Sequence, residues 1–269
     1  FKLEDKDREM LREKFGLTKN FVIGFVFRNQ LRKSVPNLLE GFKKFKSAHP
    51  AANPKLLLHT HWSEGWDIPT LIKEKGLDND DIVTTYYCSQ CEQYSIKPHD
   101  GQGGECPSCY AKNSLNTTNI KDGVSEKQLN EIYNLMDVYC HPFTSGGQEI
   151  PIQEAKLTEL ITLVTNYSCG EDSCVPESGG FPLEWAEYRE PGTQFVKAST
   201  FATSICEQLK AVYDMSPKER KTLGKQARDF VINNYSIEVV GKFFEDLFDE
   251  LPLIDWEKID LSVANEEKR

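Results

Sequence analysis

No apolar run among the 269 residues approaches the roughly 20 that carry a helix across a bilayer. The first ten residues, FKLEDKDREM, lack the apolar core of a secretory leader. The expectation is a soluble, cytoplasmic chain with no membrane span. Positive charge is also in deficit: 32 Lys and Arg stand against 42 Asp and Glu, a net charge of −10, which argues against nucleic acid as a partner. There is no internal repeat and no low-complexity tract, so solenoid and disordered classes fall away. What is present is 39% apolar content, enough at this length for one large domain, or one domain with an insert.

Eight cysteines divide into a pattern and a remainder. Cys88 and Cys91 form CSQC, and Cys106 and Cys109 form CPSC, with the 14-residue spacer EQYSIKPHDGQGGE between the pairs. Two C-x-x-C knuckles converge four thiolates on a tetrahedral ion, and four cysteines close the shell, so the expected cofactor is a structural Zn(II). Two disulfides are the alternative, which a chain without a secretory leader disfavours. His99 reads as a solvated loop histidine. Cys140, Cys169, Cys174 and Cys206 share no pattern; the pair Cys169 and Cys174 reads as reduced and incidental.

Hydrophobic period alternates along the chain. NFVIGFVF reads as a buried parallel strand, and VPNLLEGFKKFKSA follows at helical spacing. KLLLHT, the helix IPTLIKEKG ending at Gly76, and DIVTTYY continue the alternation. After the cysteines, Ser125 and Gln128 form a capping box opening SEKQLNEIYNLM, DVYCHPF is a strand, IPIQEAKLTE a helix and LITLVTNYS a strand, with a final strand near TQFVKA. TFATSICEQLKAVYDM, SPKERKTLGKQARDFVINNY and SIEVVGKFFEDLFDEL read as three closing helices. The tail SVANEEKR reads as fraying. The fold class is α/β, a doubly wound parallel sheet, with residues 88–120 as a four-cysteine insertion at the carboxyl end of a strand.

Ligands bind such sheets at the carboxyl strand ends, and two loops there carry suitable chemistry. In RNQLRKSVPN, Arg28, Arg32 and Lys33 crowd before a helix and suit an anion such as a diphosphate, unless the turn is simply solvated. In SGGQEIPIQEA, Gly146 and Gly147 permit close backbone approach, Pro151 suits a first helical turn, and Glu154 suits sugar hydroxyls. The alternative is that Glu154 only complements the helix dipole.

These segments, with REMLREKFGL as lead-in and LNEIYNLMDVYCHPF before the glycines, resemble the C-terminal domain of family 4 retaining glycosyltransferases of the GT-B fold. The resemblance covers most of the chain and implies one donor-binding domain over residues 1–269. It implies a donor-binding Rossmann-like domain in which Arg28 and Lys33 bind the diphosphate of a nucleotide sugar and Glu154 binds the ribose, with Gly146, Gly147, Glu149, Ile150 and Pro151 completing the donor loop. The family's first glutamate falls on Gly146, and the family's glycine nearer the helix is Glu149, which makes Glu149 a candidate for a donor-sugar contact from a shifted position. The resemblance also implies retention of configuration, no catalytic metal, a hydroxyl acceptor, most commonly a glycan, and an N-terminal acceptor domain lying outside this chain. The isolated domain then binds donor but transfers poorly. A nucleotide-sugar epimerase of the same fold, and a zinc-containing interaction module on a Rossmann scaffold, remain as alternatives.

Overall fold

The structure, a computed structural model, describes residues 1–119 and 121–252. The elements are α1 (Asp5–Lys14), β1 (Val22–Val26), α2 (Val35–Ala48), β2 (Lys55–His59), α3 (Ile68–Glu74), β3 (Ile82–Cys88), β4 (Tyr94–Pro98), β5 (Leu115–Thr117), α4 (Glu126–Asn134), β6 (Val138–His141), α5 (Ile150–Leu157), β7 (Thr162–Thr165), β8 (Gly180–Leu183), β9 (Trp185–Arg189), β10 (Val196–Thr200), α6 (Ala202–Asp214), α7 (Pro217–Tyr235) and α8 (Ile237–Glu250).

Strands β1, β6 and β7 are buried along their whole length, which is why they read as continuous apolar runs without alternation. The sheet runs β4-β3-β2-β1-β6-β7-β8. From β1 the chain winds outward through β2 to β3, then returns to β6 on the other side of β1 and winds outward to β8. Its direction therefore reverses between β1 and β6. Right-handed crossovers on the two sides of that point put α2 and α3 on one face and α4 and α5 on the other. Gly41 lets α6 come close to α2, since a Cβ there would stand 2.6 Å from Ile205 Cβ.

Local signals fix the helix ends. The α4 capping box is formed by Ser125 and Gln128, and Ser216 and Glu219 make the equivalent reciprocal bonds before α7. Gly76 closes α3 with φ +63°. Helix α1 is tied beneath the sheet by Asp137, which accepts from Arg8 at 2.6 Å, Arg12 at 3.1 Å and the Val22 amide at 2.8 Å. Burial lowers the pKa of the Arg12 guanidinium, and the Asp137 carboxylate opposes that shift.

The parallel-dominated α/β sheet is as expected, with two local differences. The sheet is mixed: β4 pairs antiparallel with β3 from Val83↔Pro98 to Tyr87↔Tyr94, and β5 pairs antiparallel with Tyr86–Cys88. The cysteine segment thus lies in the sheet as well as at its margin, and β5 takes the place beside the far half of β3 that β2 takes beside its near half. The last strand of the sheet is β8, GFPL; TQFVKA supplies β10, which pairs with β9 in a separate ribbon. Gly180 and Pro182 hide β8 from a propensity reading, and a sheet edge tolerates proline because one row of amides has no partner there.

Residues Phe1–Ile232 form one compact unit, and a second begins at Asn233. In the second, Ser236 caps α8 by accepting from the Val239 amide, and the rings of Phe244 and Phe248 lie 6.0 Å apart. The tail SVANEEKR lies outside the described residues.

Candidate functional site

The loops after β1 and β6 leave the sheet at the reversal of strand order, where a crevice forms between diverging connections. The first loop turns through a short 3-10 segment, Leu31–Lys33, and enters α2 through Ser34 at φ +42°. That turn separates cations that the sequence places together. Arg28 stays outside, half-exposed, with Nε donating to Glu64 Oε2 at 3.1 Å. Arg32 and Lys33 turn inward to the second loop, whose Thr144 amide donates to Arg32 O at 2.8 Å. Arg28 and Lys33 are thus each held by a different carboxylate, Glu64 and Glu149.

Lys33 and Arg32 both hold Glu149. The Lys33 ammonium pairs with one Glu149 oxygen and an Arg32 guanidinium nitrogen with the other. The Lys33 and Glu149 side chains are each 4% exposed, whereas Arg32 is 41% exposed. Burial lowers the Lys33 pKa, opposed by Glu149. Burial alone would raise the Glu149 carboxyl, but contacts with His141 and Lys33 hold it well below the usual carboxylate range. His141 Nε2 is 3.3 Å from Glu149 Oε2 and 3.4 Å from Lys33 Nζ, while its Nδ1 is 2.9 Å from Tyr139 Oη. Burial pushes His141 down to about 4, so the ring is neutral at pH 7 and leaves the cluster with two cations and one anion.

Beside this cluster lies a cavity of about 430 Å³ lined by Phe27, Arg28, His59, Thr60, His61, Glu64, Thr118, Asn119, Val124, Leu129, Ile150, Pro151 and Glu154. Its apolar wall suits a flat ring, and its polar groups converge from three loops and from α5. Glu154 accepts from the Tyr133 hydroxyl at 2.8 Å, and burial raises its pKa above the ordinary carboxylate value. The Thr60 hydroxyl is buried and has no hydrogen-bond partner among the described residues. His59, pushed down to about 4 by burial, is neutral and 3.0 Å from Thr85 Oγ1.

His59, Thr60, His61, Glu64 and Thr118 escaped the sequence reading, as did Asn29, which sets the position of Glu64. Asn29 is buried, its amide nitrogen donates to the Glu64 and Trp66 carbonyls, and its Oδ1 accepts from the Trp66 amide at 3.1 Å. Gly65, at φ +58°, is required there because a Cβ would overlap the Asn29 carbonyl. The dipeptide EG after HWS is the only sequence signal for that turn.

The two glycines between β6 and α5 play different parts. Neither takes a left-handed φ. A Cβ on Gly146 would lie 2.6 Å from Glu149 Oε1, 3.4 Å from Arg32 Nη1 and 3.4 Å from Cys169 Sγ, whereas a Cβ on Gly147 would meet nothing within 4 Å. Gly146 and Glu149 thus form a matched pair in which the space of an absent side chain admits a carboxylate.

Cys88, Cys91, Cys106 and Cys109 have sulfur atoms within 4.8 Å of one another, with Cys88–Cys109 at 3.7 Å and Cys91–Cys106 at 3.6 Å. A tetrahedron with metal–sulfur bonds of about 2.3 Å has sulfur–sulfur edges of about 3.8 Å, whereas a disulfide needs about 2.05 Å. The residues fit a four-thiolate ion. The two knuckles share one geometry: Glu92 at φ +58° donates to Cys88 O at 3.0 Å, and Tyr110 at φ +59° donates to Cys106 O at 2.9 Å. His99 is outside this set and is not a solvated loop residue; its ring stacks on Trp62 at 4.1 Å. From the cluster, β5 runs to Thr117, whose hydroxyl accepts from Gln102 at 2.6 Å and lies 3.4 Å from His61 Nδ1. The next residues, Thr118 and Asn119, line the cavity, so the four-cysteine segment supplies one of its walls.

No family model matches the chain. In sequence it is 24% identical over 245 residues to the capsular polysaccharide biosynthesis glycosyltransferase CapM of Staphylococcus aureus, covering 90% of this chain and 50% of CapM. In structure it superposes on HepE from Anabaena, solved with UDP and glucose, with TM-score 0.61 and 12% identity, covering 93% of this chain and 54% of HepE. It also superposes on the C-terminal domain of the group 1 glycosyl transferase LpcC from Francisella tularensis, with TM-score 0.57 and 14% identity, covering 88% of this chain and 96% of that domain. The chain spans about half the length of CapM and HepE. It has the Rossmann-like α/β fold of these GT-B-type glycosyltransferases.

Proposed function

We propose that this chain is the donor-binding half of a retaining, family 4-like glycosyltransferase that transfers a sugar from a nucleotide diphosphate donor to a hydroxyl of a growing glycan. The observation that carries the reading is the cavity at the strand reversal, which joins an apolar slot to the half-buried carboxylate of Glu154 and the Arg28 guanidinium, with the Arg32 and Lys33 pair on the same loop as Arg28. The nucleobase lies against Val124 and Leu129, and Glu154, held by Tyr133, accepts from the ribose hydroxyls. Arg28 reaches the diphosphate from the mouth of the cavity, and Lys33 and Arg32 reach it from behind. Amides of the Gly146–Ile150 loop face the donor sugar, with Glu149 in place of the family's first glutamate.

Departure of the nucleoside diphosphate concentrates negative charge on the leaving oxygen, and fixed cations in a crevice that excludes water stabilise that charge. The four cysteines hold a structural zinc that shapes the Thr118 wall and takes no part in the chemistry. The acceptor site belongs to a preceding domain, a reading supported by coverage of about half of CapM and HepE and nearly all of the LpcC C-terminal domain. A polysaccharide acceptor follows the similarity to CapM. A cytoplasmic site fits reduced thiols, and among the described residues no helix is long and apolar enough to cross a membrane.

Calorimetry of this chain with UDP, GDP and ADP tests the reading. One nucleotide binds saturably, and Glu154→Ala weakens it by about tenfold or more, the scale of a lost charge-assisted hydrogen bond. Absence of binding for all three overturns it and favours a scaffold role.

A further inference from the structure

Glu149 covers the Lys33 ammonium. The ammonium and the carboxylate are each 4% exposed, so with Glu149 in place Lys33 presents no charge to solvent. Both carboxylate oxygens are engaged, one by each cation, which is the bidentate pattern that two non-bridging phosphate oxygens also offer. His141 is neutral and adds no third cation. If Glu149 stayed, an incoming diphosphate would meet a buried anion at contact distance, and like charges in a poorly hydrated crevice repel strongly. The carboxylate sits at the end of a side chain with rotatable bonds, packed against Gly146.

From this geometry, and resting on the nucleotide-sugar reading above, we infer that Glu149 is an internal stand-in for a donor phosphate. Binding is an exchange in which the carboxylate leaves Lys33 and Arg32 as the phosphate arrives. The resting site is thereby kept closed to free phosphate and pyrophosphate, whose contacts to the two cations alone do not repay displacement of Glu149. A nucleotide sugar adds its contacts with the cavity and completes the exchange. Glu149 is a specificity-determining residue for the anion: it makes affinity depend on the whole donor.

The test measures inorganic pyrophosphate and UDP by calorimetry on the 269-residue chain and on Glu149→Gln and Arg32→Gln. Expected are weak pyrophosphate binding by the native chain, a gain of about tenfold or more in Glu149→Gln, and a loss of similar size in Arg32→Gln, the range measured for close charge pairs at binding sites. A folded Glu149→Gln that binds pyrophosphate no better than the native chain, while UDP still binds both, overturns the exchange and leaves the nucleotide-sugar reading standing. Failure of UDP, GDP and ADP alike to bind either protein overturns both. If Glu149→Gln does not fold, Gly146→Ala takes its place, because the added methyl displaces the carboxylate and keeps its charge. A gain in pyrophosphate affinity there supports the exchange, and no gain overturns it.

Discussion

Two adjacent glycines should respond in opposite directions to the same methyl group. A Cβ on Gly146 lies 2.6 Å from Glu149 Oε1, so the carboxylate must retreat by roughly 0.8 Å to ordinary contact at 3.4 Å. That motion stretches its bonds to Arg32 and Lys33, each worth about 1.5–3 kcal/mol as a charge-assisted contact. Against this, alanine restricts the unfolded chain and contributes about 0.4–1 kcal/mol wherever the backbone is compatible. The net for Gly146→Ala is a loss of about 1–2 kcal/mol, or a Tm lowered by about 2–8 °C at this chain length. A Cβ on Gly147 meets nothing within 4 Å, so only the unfolded-state term operates and Tm rises by about 1–4 °C. Differential scanning calorimetry of the two variants beside the native chain measures both. Equal shifts of the same sign would refute the claim that Gly146 is shaped around the carboxylate.

Glu154 supplies a pH test: burial raises its pKa, the ionised form accepts from a ribose, and UDP affinity therefore falls as pH drops through that raised value. Calorimetry between about pH 5 and 8 should show this in the native chain and a flat, weaker profile in Glu154→Gln. Elemental analysis should find one zinc per chain, lost in Cys106→Ser; hydrogen exchange should then rise across β4 and β5 and stay slow in β1 and β6, whose pairing does not involve the knuckles. Asn29→Ala removes both the acceptor of the Trp66 amide and a donor to two carbonyls, so Tm should fall by about 4–10 °C and UDP affinity should drop as Glu64 releases Arg28.

Much of the fold was legible because apolar period and caps act locally. Val22–Val26 announces a strand buried on both faces, Ser125 and Gln128 announce a helix start, and two C-x-x-C turns announce their own geometry. What escaped depends on partners distant in sequence. Strand β8 exists because β7 offers a row of amides and carbonyls to Gly180–Leu183, a pairing that no window around Pro182 contains. The cations of RNQLRK were visible, but their division was not: the turn at Leu31–Lys33 sends Arg28 to Glu64, 36 positions away, and Lys33 to Glu149, 116 away. Glu149 was read as a departure from a family pattern in a single loop. Only the fold reveals that Gly146 and Glu149 depart together and that each makes room for the other.

The thiolate cluster also offers a way to watch the cavity. Zinc has a filled d shell and is optically silent, but the same four sulfurs accept cobalt(II) in tetrahedral geometry, where partly filled d orbitals absorb visible light according to bond angles. Ser114 touches Cys88 Sγ at 3.3 Å, and three residues of extended chain, about 10 Å, carry that contact to Thr117 and the cavity wall. A cobalt-loaded chain would therefore be a coloured protein whose spectrum reports a nucleotide arriving one strand-length away, with no label added.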